Sequence, residues 1–112
     1  FTGDTLFSLG CGRVFEGTHE QMFNSLNKIK KLSKDTNIYF GHEYTLNNSN
    51  FCLKIDKKNS KLNNKILKIK EKLKNNLPTV PTLLSDEIEC NIFLKAKDVK
   101  SFSKLRELKD NF

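Results

Sequence analysis

Two short apolar segments, each ending at a glycine, flank an amphipathic helix in the first part of the chain. The first segment is Phe1-Thr2-Gly3, and the second is Ile38-Tyr39-Phe40, which stops at Gly41. Between them, apolar residues recur at helical spacing over residues 18–32, and a Thr followed three residues later by Gln21 forms a capping box at the start. This strand, helix, strand order predicts a βαβ-like layer in an α/β fold.

Beyond Gly41 the pattern becomes mainly helical. Apolar residues step by four, three and four from Leu62 to Leu73, which predicts an amphipathic helix with a lysine-rich outer face. The segment 51–55 has no clear type, the alternation over residues 88–94 favours an extended segment, and a last short helix is predicted from Ser101. We therefore expect two regions, residues 1–43 and 44–112, with the seam near His42.

Length and composition restrict the class of protein. The chain has 112 residues, enough for one domain, and it contains neither a run of about 20 apolar residues nor the pattern of a signal peptide. Its three cysteines are an odd number without CxxC spacing, which fits neither a disulfide framework nor a thiolate zinc site. We expect a soluble cytoplasmic protein. Because the chain begins with an unpaired strand and not with Met, we also expect it to be the C-terminal part of a longer protein.

The net charge of +7 comes mainly from lysines scattered between Lys54 and Lys74. A solvated helix face explains such a distribution more often than a nucleic-acid groove does. The predicted helix over residues 61–74 also has no aromatic residues among its lysines, whereas surfaces that bind single-stranded nucleic acid use both. A basic nucleic-acid-binding module is therefore the weaker alternative.

Two turns place side chains that bind metals directly after predicted strands. Asp4 follows Gly3 and is a candidate oxygen ligand, and His42 follows Gly41 and is a candidate nitrogen ligand. Strand ends are common positions for sites, because rigid scaffold and adaptable loop meet there. Each signal alone is weak, since an Asp after a Gly is usually a turn residue and a single His is more often structural.

Cations occur at both ends of the chain. Arg13 ends the glycine-rich segment Gly10-Cys11-Gly12, where backbone can approach an anion closely. Arg106 and Lys109 are three residues apart, so on a helix they share a face suited to gripping one carboxylate. The alternatives are an ordinary turn and a solvated terminal helix.

The motifs in their order decide between these alternatives. The chain reads FTGDTLFSLGCGRVFEGT, then NIYFGHEYT, then a tail ending LRELKDNF. This order resembles the glyoxalase II family, the hydroxyacylglutathione hydrolases, over the whole chain. The resemblance implies the second half of a metallo-β-lactamase αββα sandwich, followed by a small helical C-terminal domain that binds the glutathione substrate. Such an enzyme would be a monomer when full length.

The resemblance implies a function as well. Two metal ions, zinc or alternatively iron or manganese, would activate the nucleophile that hydrolyses S-lactoylglutathione to D-lactate and glutathione in methylglyoxal detoxification. By motif, Asp4 matches the carboxylate that bridges both metals and His42 matches a ligand of the second metal. Tyr44 matches a residue in contact with glutathione, and Arg13, Arg106 and Lys109 match the cations that receive its glycine carboxylate.

The family's HxHxDH metal motif has no counterpart in this chain. We therefore expect these 112 residues alone to be inactive. A persulfide dioxygenase with a single iron, or another hydrolase of the same fold, is the nearest alternative, because it shares the Gly-Asp and Gly-Cys-Gly-Arg motifs. Those enzymes generally lack the tail with Arg and Lys three residues apart, and Gly-His-Glu-Tyr-Thr is typical of the glutathione thioesterases.

Overall fold

The computed structural model describes residues 1–3, 5–12, 18–41 and 44–112. The helices in this part of the chain are α1 His19–Lys30, α2 Thr45–Ile55, α3 Ser60–Lys74, α4 Leu84–Cys90, α5 Ile92–Lys95 and α6 Val99–Asp110. The strands are β1 Leu6–Phe7, β2 Gly10–Cys11, β3 Asn37–Ile38 and β4 Thr82–Leu83. The fold is thus a mixture of α and β in which helices predominate over small sheets.

Helix α1 begins as its sequence predicts. The Thr18 hydroxyl accepts a hydrogen bond from the Gln21 N–H at 3.1 Å, and the Gln21 side chain accepts one from the Thr18 N–H at 2.9 Å. These two bonds form the predicted capping box and satisfy two donors that the first helical turn leaves open.

Helix α3 confirms the second helical prediction. The side chain of Asn59 accepts hydrogen bonds from the N–H groups of Lys61 and Leu62 and so caps its first turn. Leu62, Ile66 and Ile69 are buried, whereas every lysine of the helix except the partly buried Lys65 is exposed.

The prediction of an extended segment over residues 88–94 is wrong. These residues form the end of α4 and all of α5 up to Leu94, with a break at Asn91. The alternation misled because α4 buries every third residue, whereas α5 buries Ile92, Phe93 and Leu94 in succession. The segment 51–55, whose type the sequence left open, is the second half of α2.

In the part of the chain that the structure describes, the β structure consists of two antiparallel pairs and one parallel bridge. Strand β1 pairs with β2, and β3 pairs with β4. The two apolar segments of the predicted βαβ-like layer meet at a parallel bridge between Gly3 and Phe40. A metallo-β-lactamase sandwich is larger than these described elements.

One hydrophobic core joins both ends of the chain. Its buried residues include Leu26 of α1, Phe51 of α2, Phe93 of α5 and Phe102 of α6. The rings of Phe51 and Phe93 stack at 6.2 Å, and those of Phe93 and Phe102 meet edge to face at 6.0 Å. Among the described residues, no helix is both long enough and apolar enough to cross a membrane.

Candidate functional site

Backbone hydrogen bonds pair the two segments that precede the predicted metal ligands. The Thr2 N–H donates to the Tyr39 carbonyl at 2.8 Å, and the Gly41 N–H donates to the Gly3 carbonyl at 2.8 Å. Gly3 has a φ of +52°, a left-handed conformation that favours glycine. The predicted ligands Asp4 and His42 are outside the described residues, but each comes directly after one of these two paired glycines. The described backbone therefore places the two glycines that precede the predicted ligands at one edge.

Residues 5–12 form a hairpin directly after this edge. Its two ends are joined by a hydrogen bond from the Gly12 N–H to the Thr5 carbonyl at 3.2 Å, and the Thr2 hydroxyl donates to the Leu6 carbonyl at 2.8 Å. Its tip is the two-residue turn Ser8-Leu9 between β1 and β2. The open end of this hairpin lies between Asp4 and Arg13 in sequence, and Arg13 is also outside the described residues.

A fully buried carboxylate holds the tip of the hairpin. Oε1 of Glu87 accepts from the Leu9 N–H at 2.7 Å, and Oε2 accepts from the hydroxyls of Thr82 at 2.9 Å and Ser8 at 3.3 Å. The ammonium of Lys65 lies 3.5 Å from Oε2 and supplies a positive charge. Burying a charge is costly unless it is paired and hydrogen-bonded, and here it is both.

Two asparagines and a cysteine also form hydrogen bonds with the tip of the hairpin. The Asn91 amide donates to the carbonyls of Phe7 at 3.3 Å and Gly10 at 3.0 Å, and the Asn48 amide donates to the Ser8 carbonyl at 3.2 Å. The Cys52 thiol donates to the Leu9 carbonyl at 3.1 Å. Helix α2 and the residue between α4 and α5 thus satisfy the polar backbone of a buried turn.

This turn requires glycine at position 10, because there is no room for a side chain. A Cβ atom at this position would lie 2.6 Å from the Asn48 amide nitrogen, closer than real Cβ contacts come. The predicted role of the glycine-rich loop was close approach to an anion. In the described part of this loop, the close approach is to a side chain of α2.

Arg106 lies beneath the second strand of the hairpin. Its Nη1 donates to the carbonyls of Cys11 at 2.7 Å and Gly12 at 3.3 Å, and its Nη2 lies 2.9 Å from a carboxylate oxygen of Asp110. The guanidinium also stacks over the Phe93 ring at 5.2 Å. Only 2% of Arg106 is exposed, so the residue joins α6 to the end of the hairpin.

Lys109 and Tyr44 are more accessible. The Lys109 ammonium donates to the Asn47 side chain at 2.7 Å and lies near the rings of Phe51 and Phe112, at 6.0 and 5.6 Å. Half of the Tyr44 surface is exposed, and its ring meets that of Phe7 edge to face at 5.1 Å. Both side chains thus have polar atoms near the surface beside buried aromatic rings.

The cysteines are packing residues. Cys11, Cys52 and Cys90 are free and buried. Burial raises the pKa of Cys11 and of Cys90 to about 11 and that of Cys52 to about 12. Because the thiolate is the reactive form, none of these thiols is suited to act as a nucleophile.

The described residues do not form a metal site by themselves. Among them, no group of three or more His, Cys, Asp or Glu side chains is placed to hold a metal ion. Catalytic zinc usually takes three protein ligands. The predicted ligands Asp4 and His42 are not among these residues.

Sequence reasoning missed Glu87, Asn91 and Asn48. Glu87 and Asn91 are four residues apart and would share one face of a helix, but the alternation over residues 88–94 predicts an extended segment that begins after Glu87 and includes Asn91. Asn48 lies between Gly41 and the segment 51–55, where no element is predicted. These polar residues had no visible partner in the sequence, because their partners are backbone atoms about 40 and 80 residues away.

Comparison with known proteins decides the family. The family model described as hydroxyacylglutathione hydrolase C-terminus matches residues 43–112. The chain belongs to the hydroxyacylglutathione hydrolase family. It is 61% identical, over its whole length, to the hydroxyacylglutathione hydrolase of Pelagibacter ubique (strain HTCC1062). It is 51% identical to that of Prochlorococcus marinus (strain MIT 9312) over 98% of the chain, and 42% identical to that of Rhizobium meliloti (strain 1021) over the whole chain.

The family relatives are longer than this chain. The alignments cover 47%, 45% and 49% of the Pelagibacter, Prochlorococcus and Rhizobium proteins. The chain thus spans about half the length of the curated relatives it matches. The family model begins at residue 43, directly after His42.

Proposed function

We propose that this chain is the C-terminal half of a hydroxyacylglutathione hydrolase, which converts S-lactoylglutathione and water into D-lactate and glutathione. In this reaction water adds to the thioester carbonyl carbon, the C–S bond breaks, and the sulfur leaves as the thiolate of glutathione and takes up a proton. The observation that carries the proposal is the 61% identity over the whole chain to a relative with that name.

In this proposal residues 1–43 complete a metallo-β-lactamase sandwich, and residues 44–112 form the helical domain that binds substrate. The start of the family match at residue 43 supports a boundary near this point. The three buried free thiols support a reducing compartment, so we propose that the enzyme acts in the cytoplasm. We also propose that the complete enzyme is a monomer.

We propose that Asp4 and His42 hold metal in the complete enzyme. A carboxylate and an imidazole are suitable donors for zinc, iron or manganese, and the hydrogen-bonded pair Gly3 and Gly41 supports their placement at one edge. Two metal ions would supply Lewis-acid chemistry that activates water near neutral pH. The role of this chain is to fix the two donors on a hydrogen-bonded backbone edge.

We propose that Tyr44, Lys109, Arg13 and Arg106 bind the glutathione part of the substrate. The exposure of Tyr44 and the surface position of the Lys109 ammonium support direct contact. Arg106 would act mainly by holding the carbonyls of Cys11 and Gly12, the residues that precede Arg13. Contacts remote from the thioester orient it toward the nucleophile.

Metal analysis of the complete hydrolase, combined with thioester assays, tests this proposal. Asp4→Ala and His42→Ala should each lower the bound metal and reduce kcat to the level of the blank, because each removes a ligand. His19→Ala is the matched control, because His19 is the other histidine of the chain and its ring packs against Phe102 at 6.0 Å. Wild-type metal content and kcat in either ligand variant would contradict the assignment.

A further inference from the structure

The hairpin of residues 5–12 is held at its tip, although the predicted site residues lie at its open end. Asp4 precedes the hairpin and Arg13 follows it, whereas the Ser8-Leu9 turn is buried among helices on the opposite side. An element fixed at one end transmits its orientation to the other end when its two strands are bonded together. Here the pairs Leu6 with Cys11 and Phe7 with Gly10, and the Gly12 to Thr5 hydrogen bond, provide that connection.

The tip has an unfavourable backbone conformation that its surroundings maintain. Leu9 has a φ of +59°, in the left-handed region that non-glycine residues rarely adopt, and its side chain is fully buried. Such residues persist where the surrounding structure over-determines them, and they cluster at functional sites. The N–H of Leu9 donates to Glu87 and its carbonyl accepts from Cys52, so two helices hold this one residue.

Glu87 lies at the centre of the hydrogen bonds around the tip. Its carboxylate accepts from the turn at Leu9 and Ser8, and from Asn91, whose amide also bonds the carbonyls on both sides of the turn. Apolar side chains would have packed this turn without burying a charge. A directional carboxylate instead defines one orientation of the hairpin, because several donors converge on two oxygens.

We propose that Glu87 is a positioning residue, which with Asn91 orients the hairpin so that the residues at its open end reach the metal and the substrate. The role toward metal rests on the proposed function. The positioning of the hairpin does not, and it can be measured separately.

Amide hydrogen exchange of the chain measures the positioning directly. Glu87→Gln keeps the shape of the side chain but removes the charge, and Glu89→Gln is the matched control, because Glu89 lies on the same helix and forms a surface ion pair with Lys61. We expect the amides of Gly12 and Gly41 to exchange at least tenfold faster in Glu87→Gln and at the wild-type rate in Glu89→Gln. The amide of Ile66, in α3, should be unchanged in both.

Metal affinity of the complete hydrolase measures the consequence. Mutation of residues that hold the ligands of a metal site typically weakens metal affinity by about 10- to 100-fold. We therefore expect zinc to bind about tenfold more weakly to Glu87→Gln. Competition with a chelating indicator, well below the unfolding temperature, measures this affinity. Ser8→Ala removes one hydrogen bond and keeps the charge, and it should show a smaller change in the same direction. It provides the test if Glu87→Gln does not fold.

The results separate the positioning role of Glu87 from the proposed thioesterase function. Equal acceleration of all amides, including Ile66, would mean that Glu87 acts through global stability and would overturn the proposal. Wild-type zinc affinity in both Glu87→Gln and Ser8→Ala would also overturn it. If the wild-type hydrolase bound zinc but had no thioesterase activity, the proposed function would fail, whereas the exchange and affinity results would still decide the role of Glu87.

Discussion

Arg106 and Lys109 are three residues apart on α6 but have different surroundings. Arg106 is buried, and its guanidinium is occupied by two backbone carbonyls and by Asp110. Lys109 has its ammonium on the side chain of Asn47, near the surface. Helical spacing correctly predicts that the two residues are close, but it cannot show that one of them has its donors already engaged by a segment about 95 residues away in sequence.

Substitution of these two cations should therefore have different effects. Lys109→Ala should raise KM for glutathione thioesters about ten- to hundredfold with little change in kcat, because a charge-assisted contact contributes about 1.5 to 3 kcal/mol. Arg106→Ala should raise KM as well, and should also lower the free energy of unfolding by at least about 1.5 kcal/mol, because it leaves the Cys11 and Gly12 carbonyls buried without their donor.

Steady-state kinetics and urea unfolding of the complete hydrolase measure both effects, with exposed Lys104→Ala on the same helix as control. A thioester substrate without the glycine carboxylate should be insensitive to Lys109→Ala. An equal loss on both substrates would mean that Lys109 does not contact that carboxylate.

The three thiols should be unreactive in the folded chain. Burial is the largest cause that raises the pKa of Cys11 and Cys90 from 9.0 to about 11, and that of Cys52 to about 12. Since the thiolate is the reactive form, at pH 8 its fraction falls about a hundredfold for the first two thiols and further for Cys52. Labelling with a chromogenic disulfide should be at least a hundredfold slower than in urea and should accelerate from pH 8 to pH 10. A stoichiometric burst at pH 8 would contradict this burial.

At the scale of elements, the pattern of apolar residues is informative where a helix packs against apolar neighbours. Helices α1 and α3 do so, and their sequences predict them well. Helix α2 buries the polar residues Thr45 and Asn48 besides Phe51 and Cys52, because it also covers the polar backbone of the hairpin tip and the neighbouring loop. Its sequence therefore has little apolar periodicity, although the element is a regular helix.

Helix α3 offers a stringent comparison of two adjacent residues. Ile66→Ala should lower the free energy of unfolding by about 2 to 5 kcal/mol, because Ile66 is 4% exposed and its truncation leaves a cavity in the core. Leu67→Ala should change it by less than about 0.5 kcal/mol, because Leu67 is 65% exposed. Urea unfolding of the two variants measures the difference, and similar losses would mean that the face assigned to the core is wrong.

At the scale of the whole molecule, the sequence reveals the family through its short motifs, but it does not reveal the distant residues that hold those motifs in place. The order of the motifs indicates the family, because Gly-Asp and Gly-His-Glu-Tyr-Thr are contiguous in the sequence and can be recognised directly. The support for these motifs comes from residues far along the chain, and Glu87, Asn91 and Arg106 all bond to the hairpin of residues 5–12. Such pairings depend on tertiary placement, so periodicity and local spacing could not reveal them.

These 112 residues alone should have no thioesterase activity. Asp4 and His42 are the two ligands that we propose, the described residues contain no group of three or more donors placed to hold a metal ion, and catalytic zinc usually requires three protein ligands per ion. Two ligands are therefore too few for two ions. Purified and assayed with added zinc, iron or manganese, the chain should hydrolyse S-lactoylglutathione no faster than the metal blank, while the complete hydrolase under the same conditions is active. A clear metal-dependent rate from the chain itself would overturn the ligand count and the proposal that the chain is one half of the enzyme.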